Sequence, residues 1–210
     1  EIRAQGRRAL ILEADVTQHR RAQEIAAAVK AEWGRIDFLL NNAGRAMPKG
    51  ILEISEAEFD QTIAVNLKSC FSYIQAVAPI MLAAGGGRIV SMSSLNAFTG
   101  GVTSAVSKFA YAAAKAGILG LTRALAKELG PTIAINAICP GVIKTELTAG
   151  LIEARESELA KGIALGRTGG PEDVAQLVAF LATSEPLFIT GQEFRSEERR
   201  GGKECRYRWS

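Results

Sequence analysis

The chain has 210 residues, of which 48% are apolar, 22% are charged and 6% are aromatic. These proportions are typical of a globular protein with one sizeable core, and they exclude a disordered or fibrous chain. The net charge of +3 arises in residues 195–210, because residues 1–194 carry equal numbers of basic and acidic side chains. A neutral body argues against binding to nucleic acid or to an anionic membrane surface, and no apolar run is long enough to cross a bilayer.

The sulfur and imidazole side chains are few. The chain has three cysteines, far apart and in no paired spacing, and a single histidine, His19. This usage predicts neither a disulfide framework nor a metal site, and it favours a reducing, cytoplasmic setting. The chain begins with Glu1, so we expect the natural start to lie upstream.

Apolar runs alternate with segments of helical periodicity along the chain. Each run ends in a polar or glycine-bearing cluster, and the runs cover residues 9–14, 36–40, 88–92 and 133–139. Helices are predicted over residues 18–33, 55–84, 108–129, 146–161 and 171–182, with a last apolar run at 187–189. Ser55 and Glu58 form a capping-box sequence at the start of the second predicted helix.

This alternation predicts an α/β domain with a parallel sheet covered on both faces. Right-handed crossovers place the carboxyl ends of all strands on one edge, which is where ligands bind in open α/β sheets. Each polar cluster alone is more simply explained as a turn, but four clusters together indicate a site.

The composition changes abruptly at Arg195, where the apolar periodicity stops. Residues 195–210 resemble the translation of a sequencing-library adapter. The alternatives are a basic nucleic-acid-binding arm that includes Tyr207 and Trp209, and a solvated terminus. We therefore assign residues 1–194 to one domain and residues 195–210 to a non-native or disordered tail.

Tyr111 and Lys115 lie four residues apart in an alanine-rich helical segment, so both side chains project from one helix face. A cation close to a phenol favours the phenolate, and the pair predicts a tyrosine whose pKa moves from about 10 toward neutrality. Such a group can exchange a proton with a carbonyl oxygen during reduction. Taken alone, the same pair is a weak signal and is more simply an exposed structural pair.

Several motifs, taken in chain order, resemble the short-chain dehydrogenase/reductase family. They are Asn41-Asn42-Ala43-Gly44, Asn66, Ser93-Ser94, Tyr111 with Lys115, Pro140-Gly141 with Thr145, and the late segments at 169–174 and 189–191. The resemblance spans residues 1–194 and is strongest to the group of 3-oxoacyl-carrier-protein reductases and sugar or alcohol dehydrogenases. It implies a Rossmann-like, doubly wound sheet that here lacks the first strands and the glycine-rich phosphate loop.

The resemblance also implies a role for each matching residue. Tyr111 would be the general acid/base, Lys115 would lower its pKa and hold the nicotinamide ribose, Ser94 would bind the substrate oxygen, and Asn66 would fix a helix kink and a water of the proton relay. The remaining matches would contact NAD or NADP: Asp15 and Val16 at the adenine, Asn41, Ala43 and Gly44 along the cofactor, and Pro140, Gly141 and Thr145 at the nicotinamide. Thr145 is also a plain helix N-cap candidate.

The interval between Ser94 and Tyr111 is a few residues longer than is common in the family, so Ser93 stays open as the catalytic serine. Residues 95–108 are expected to bulge over the substrate site. The implied activity is hydride transfer to or from a small alcohol or ketone, in a homodimer or homotetramer, with no metal, nucleic acid or membrane partner. The alternatives are a fragment or a family-like binding module without catalysis.

Overall fold

The computed structural model describes residues 2–101, 107–145 and 149–196. In this part of the chain four parallel strands form one sheet in the order β1-β2-β3-β4. The strands are β1 (Phe38–Asn41), β2 (Gly87–Met92), β3 (Ile133–Cys139) and β4 (Glu193–Arg195). The strands predicted over 36–40, 88–92 and 133–139 are confirmed. The last strand, β4, lies beyond the predicted apolar run at 187–189. It includes Arg195, the first residue of the segment assigned to the tail. Residues 197–210 lie outside the described residues.

Helices connect the strands. They are α1 (His19–Trp33), α2 (Glu56–Ile63), α3 (Ser69–Ala83), α4 (Asn96–Thr99), α5 (Phe109–Leu129), α6 (Ala149–Glu153), α7 (Glu156–Lys161) and α8 (Pro171–Thr183). Ser55 caps α2 through the predicted capping box with Glu58. The helix predicted over 55–84 is interrupted by a π-helical segment, Ala64–Lys68, and the one predicted over 146–161 is divided into α6 and α7.

The sheet is covered on both faces, as the alternating pattern predicts. On one face, α1, α3 and α5 contribute to a buried cluster with Ile89 and Ile135 of the sheet. On the other face, Leu181 of α8 packs against Val90 and Ile138. Neighbouring strand residues such as Ile89 and Val90 therefore point into different cores, which confirms the α/β class with a doubly covered parallel sheet.

The prediction of a strand over residues 9–14 is wrong. These residues pair with none of the strands, and the Ile11 side chain is 83% exposed. An apolar run becomes a strand only where a neighbouring strand completes its backbone hydrogen bonds. Among the described residues β1 has a neighbour on one side only, β2.

A close contact between α5 and the π-helical segment sets the position of the site. A Cβ on Gly117 would lie 2.7 Å from Cδ2 of Leu67. Only a glycine at this point lets α5 approach the π-helical segment so closely. The contact brings the helix that carries Tyr111 and Lys115 against the segment that carries Asn66.

Two further observations concern the described residues only. None of their helices combines the length and the hydropathy that a membrane span requires. Within the same ranges, no three His, Cys, Asp or Glu side chains come together as a metal ligand set.

Candidate active site

Tyr111 and Lys115 converge near the carboxyl end of β2. The Nζ atom of Lys115 lies 5.6 Å from the centroid of the Tyr111 ring. Lys115 is only 3% exposed, and its ammonium donates a hydrogen bond of 2.7 Å to the carbonyl of Met92, the last residue of β2. The predicted pairing on one helix face is therefore present, and the sheet anchors the lysine.

The structure separates the two candidate serines. Ser93 is buried, and its hydroxyl donates a hydrogen bond of 2.8 Å to the Lys115 carbonyl. Its amide donates to the carbonyl of Ile138 in β3 at 2.7 Å. Ser94 is half-buried, and its hydroxyl interacts with the Tyr111 phenol in the sense that lowers the phenol pKa. Ser93 is thus committed to backbone contacts, and Ser94 is the serine that faces the tyrosine.

The pKa of Tyr111 differs in direction from the sequence prediction. Burial raises the pKa of the phenol, and the interaction with Ser94 opposes this rise. Burial also lowers the pKa of Lys115, against the influence of the neighbouring Cys70 and Cys139 thiols. The predicted move of the Tyr111 pKa toward neutrality is wrong for this structure, because burial outweighs the other influences on the phenol. That Lys115 favours the phenolate stays a prediction.

Asn66 lies in the middle of the π-helical segment and is fully buried. Its Nδ2 donates to the carbonyls of Thr62 and Arg45, each at 3.0 Å. Its Oδ1 accepts from the Arg45 amide at 3.0 Å. A π-helical irregularity lies where the resemblance implies a helix kink at Asn66, and the side chain ties this helix to the loop after β1. The relay water stays a prediction.

Gly44 lies where that loop crosses the site. A Cβ at this position would come within 3.1 Å of the Asn66 Oδ1 and 3.4 Å of the Lys115 Nζ. Ala43 and Gly44 are exposed. Asn41 instead is buried at the end of β1, where its Nδ2 donates to the Ser91 hydroxyl at 3.1 Å. Because Gly44 has no side chain, the space next to the Lys115 ammonium stays open. Asn41 instead joins β1 to β2.

The loop after β3 is described in part. Pro140 accepts a hydrogen bond of 3.1 Å from the Leu95 amide, which brings this loop next to the one that carries Ser94. The Gly141 amide donates to the Ser196 hydroxyl at 3.0 Å. Thr145 is half-buried and has a partner in the chain. Residues 146–148, where the predicted helix begins, lie outside the described residues.

Asp15 and Val16 follow the extended segment 9–14. The Asp15 carboxylate accepts from the Thr17 amide at 2.9 Å and from its hydroxyl at 2.8 Å, and these bonds lower the pKa of Asp15. Asp15 thus stabilises the turn into α1. No contact recorded among the described residues joins Asp15 or Val16 to Tyr111, so their adenine contacts stay predictions.

Sequence reasoning missed four neighbours of the site. Asn96 bonds to both Ser94 and Ser107, and Met47 accepts a hydrogen bond of 2.8 Å from the Lys108 amide at the start of α5. Cys70 and Cys139 pack in one cluster with Ile118 of α5. No sequence motif marks these contacts, and apart from the one between Asn96 and Ser94 they join residues that lie further apart in the chain. The bulge predicted over 95–108 begins with the short helix α4, and residues 102–106 lie outside the described residues.

Comparison with known proteins gives matches over nearly the whole chain. A family model described as enoyl-(acyl carrier protein) reductase matches residues 1–197. The 3-oxoacyl-acyl-carrier-protein reductase FabG of Thermotoga maritima is 42% identical over 180 residues, which are 85% of this chain and 71% of that protein. FabG of Chlamydia muridarum is 41% identical over 163 residues, and there the match spans 77% of this chain and 64% of the relative.

Solved structures have the same fold. A putative short-chain alcohol dehydrogenase from Sinorhizobium meliloti is 34% identical, with a TM-score of 0.83 over 92% of this chain and 76% of that one. The structure of ElxO with NADP bound is 28% identical, with a TM-score of 0.80 over 88% of this chain and 75% of that one. The chain belongs to the short-chain dehydrogenase/reductase family of NAD(P)-dependent oxidoreductases.

Proposed function

We propose that this protein transfers a hydride between a nicotinamide cofactor and the hydroxyl or carbonyl carbon of a small alcohol or ketone, with Tyr111 as the general acid/base. The observation that carries the proposal is the convergence of Ser94, Tyr111 and Lys115 at the carboxyl end of β2. A hydroxyl, a phenol and an ammonium at one sheet edge are the groups that carbonyl reduction needs from the protein.

The residues around Gly44 fit a dinucleotide. The absent Cβ leaves space directly above the Lys115 ammonium and the Asn66 amide. Lys115 has three N–H donors, of which one bonds to the Met92 carbonyl, so the others can hold ribose hydroxyls. Ala43 and Gly44 would lie along the cofactor, with Asn41 supporting their loop from β1. The bound cofactor supplies or accepts the hydride.

Other contacts are proposed from the family resemblance. Pro140, Gly141 and Thr145 would border the nicotinamide, and the hydrogen bond between Pro140 and Leu95 supports this because it brings the two loops together. Asp15 and Val16 would contact the adenine. Both NAD and NADP are candidates, and the NADP bound to ElxO supports testing the phosphorylated form first.

The raised pKa of Tyr111 fits the role of proton donor. Burial keeps the phenol protonated at neutral pH, so it can give its proton to the carbonyl oxygen of a ketone. Ser94 would hold that oxygen from the other side. The phenolate that forms would then be stabilised by the Lys115 ammonium, 5.6 Å from the ring centre in a buried setting. The proton relay that restores the Tyr111 hydroxyl would run past Asn66. The Asn66 side chain is held by hydrogen bonds to the Arg45 backbone.

The assembly and location are also proposals. We propose a homodimer or homotetramer, supported by the exposed Phe71 of α3 and Phe180 of α8, which are 43% and 47% exposed. We propose a cytoplasmic setting, supported by the free thiols of Cys70 and Cys139. Sedimentation equilibrium would measure the assembly directly, and a monomer at micromolar concentration would contradict it.

The proposed function is tested by exchanging one tyrosine at a time. Reduction of β-keto thioesters, aldoses and simple ketones would be followed by cofactor absorbance with NADH and with NADPH. Tyr111→Phe should lower turnover by about 100-fold or more, because it removes only the hydroxyl that exchanges the proton. Tyr73→Phe is the matched control, since Tyr73 lies on α3 away from these groups, and it should retain normal turnover.

Two results would contradict the proposal. The general acid/base assignment fails if Tyr111→Phe turns over as fast as the unchanged chain. A family-like binding module would bind NADH or NADPH, measured by cofactor fluorescence, and show no turnover with any substrate of the panel.

A further inference from the structure

Asn96 contacts two parts of the chain that the proposed mechanism needs to keep together. Its backbone amide donates a hydrogen bond of 3.2 Å to the Ser94 hydroxyl oxygen. Its side-chain Nδ2 donates to the carbonyl of Ser107 at 3.4 Å. Ser107 is buried and directly precedes Lys108, the N-cap residue of α5. One residue therefore connects the serine loop to the start of the tyrosine helix.

These bonds close a ring through the site. From Ser94 the ring runs to Asn96, on to Ser107 and α5, and back through Tyr111, whose phenol interacts with Ser94. Ser94 and Tyr111 belong to different elements, so their contact depends on how the serine loop is held against α5. A hydrogen bond weakens steeply when its geometry changes, so a loose ring would weaken the contact between the two hydroxyls.

The rest of α4 is anchored to the sheet side of the site. The Leu95 amide donates to the Pro140 carbonyl at 3.1 Å, and Ala97 packs against the cluster that contains Ile118 of α5. These contacts fix the backbone of the short helix. Among the described residues of α4, the Asn96 amide is the side-chain group that reaches the segment leading into α5.

We propose that Asn96 is a positioning residue that holds the Ser94 hydroxyl against the Tyr111 phenol by tying the serine loop to the start of α5. The catalytic meaning of this contact rests on the function proposed above. The Asn96 amide fills one lone pair of the Ser94 oxygen. The hydroxyl proton is left to donate to the Tyr111 oxygen or to a bound carbonyl oxygen, and the second lone pair is left to accept from a donor.

The test measures the ¹³C NMR chemical shift of the Tyr111 phenol. The full chain would be labelled with ¹³Cζ-tyrosine, and the signal that disappears in Tyr111→Phe would be assigned to Tyr111 among the three tyrosines. The Asn96→Ala variant keeps the backbone amide but loses the bond to Ser107. Its Tyr111 signal should shift in the same direction as in Ser94→Ala, at neutral pH and without any cofactor.

The matched control is Thr99→Ala. The Thr99 hydroxyl also makes a side-chain hydrogen bond inside α4, to the Leu95 carbonyl at 3.3 Å, but it does not touch Ser107. This variant should leave the Tyr111 signal in place. Asn96→Asp serves as a second variant, because it keeps the size of the side chain and replaces the amide donor by an acceptor. It should shift the signal as Asn96→Ala does.

Kinetics separate this proposal from the proposed function. Asn96→Ala should lower kcat by about 10-fold or more with the cofactor KM unchanged, and it should have no further effect when Ser94 is already alanine. The positioning role is overturned if the Tyr111 signals of both Asn96 variants coincide with that of the unchanged chain. If instead the signals shift while Tyr111→Phe leaves turnover intact, the contact is real and the proposed function is the part that fails.

Discussion

The side chain of Asn66 holds both backbone groups of Arg45. Its Nδ2 donates to the Arg45 carbonyl and its Oδ1 accepts from the Arg45 amide, both at 3.0 Å. This pair of hydrogen bonds joins the π-helical segment to the loop after β1, immediately beyond Gly44. The loop that would lie along the cofactor is therefore positioned by the same residue that would take part in the proton relay.

Removing this amide should cost stability as well as activity. Asn66→Ala empties a fully buried position and leaves the Arg45 backbone groups and the Thr62 carbonyl without their partner, so the free energy of unfolding should fall by about 1–3 kcal/mol. Urea denaturation measures the change. Gln75→Ala, at an exposed position of α3, is the control and should stay close to the unchanged chain. Equal stability of the two variants would contradict the role assigned to Asn66.

Two glycines of α5 should respond in opposite ways to the same substitution. A Cβ on Gly117 would lie 2.7 Å from the Leu67 side chain, whereas Gly120 has no such neighbour within 4 Å. Gly120→Ala should stabilise the chain by about 0.5–1 kcal/mol, because alanine favours the helix. Gly117→Ala should lower stability, since overpacking costs about 1–3 kcal/mol. Thermal unfolding measures both, and an equal gain in the two variants would show that the contact with Leu67 is loose.

Arg88 should stabilise the end of α8. Its guanidinium donates to the carbonyls of Leu181 at 3.2 Å and Ser184 at 2.8 Å, and it pairs with Glu185. Arg88→Ala should lower the free energy of unfolding by about 1–3 kcal/mol, because these hydrogen bonds involve a charged donor.

The control for this prediction is Arg35→Ala. Arg35 forms an ion pair with Asp37 in which the two side chains are 62% and 61% exposed. Its removal should change the free energy of unfolding by no more than about 0.5 kcal/mol. The stabilising role of Arg88 at the end of α8 is contradicted if Arg88→Ala unfolds at the same urea concentration as Arg35→Ala.

The buried thiol of Cys70 should make stability fall at alkaline pH. Burial raises its pKa above the ordinary value of 9.0, so the unfolded chain loses this proton at a lower pH than the folded chain does. Stability from this group is fully present below pH 9 and is lost as the pH rises toward the folded pKa, by at most about 1.4 kcal/mol per pH unit. Cys70→Ala should flatten this loss in urea titrations between pH 8 and 10.5.

The neighbouring lysine acts in the opposite sense. Burial lowers the pKa of Lys115 below its ordinary value of 10.5. The contribution of Lys115 to stability therefore rises with pH until the pH reaches that ordinary pKa. Both chains in the comparison keep Lys115. Parallel stability curves for the unchanged chain and Cys70→Ala would contradict the assignment of the alkaline loss to Cys70.

The sequence by itself determined the elements that follow local rules. Apolar periodicity predicted α1, α5 and β3, and the Ser55 capping box placed the start of α2, because helix spacing and caps depend on residues a few positions apart. The motif order indicated the family, and the four-residue spacing placed Tyr111 beside Lys115. The run at 9–14 was predicted wrongly, since a strand depends on a neighbour that its own residues do not encode.

Only the tertiary structure decided how these groups act on each other. The Ser93 hydroxyl donates to the Lys115 backbone carbonyl, a contact that the sequence does not show and that supports Ser94 as the serine of the proposed mechanism. The pKa of Tyr111 is raised rather than lowered because packing buries the phenol. The physical reason is the same in each case: burial and hydrogen bonding at the site are set by residues that the chain brings together from distant positions.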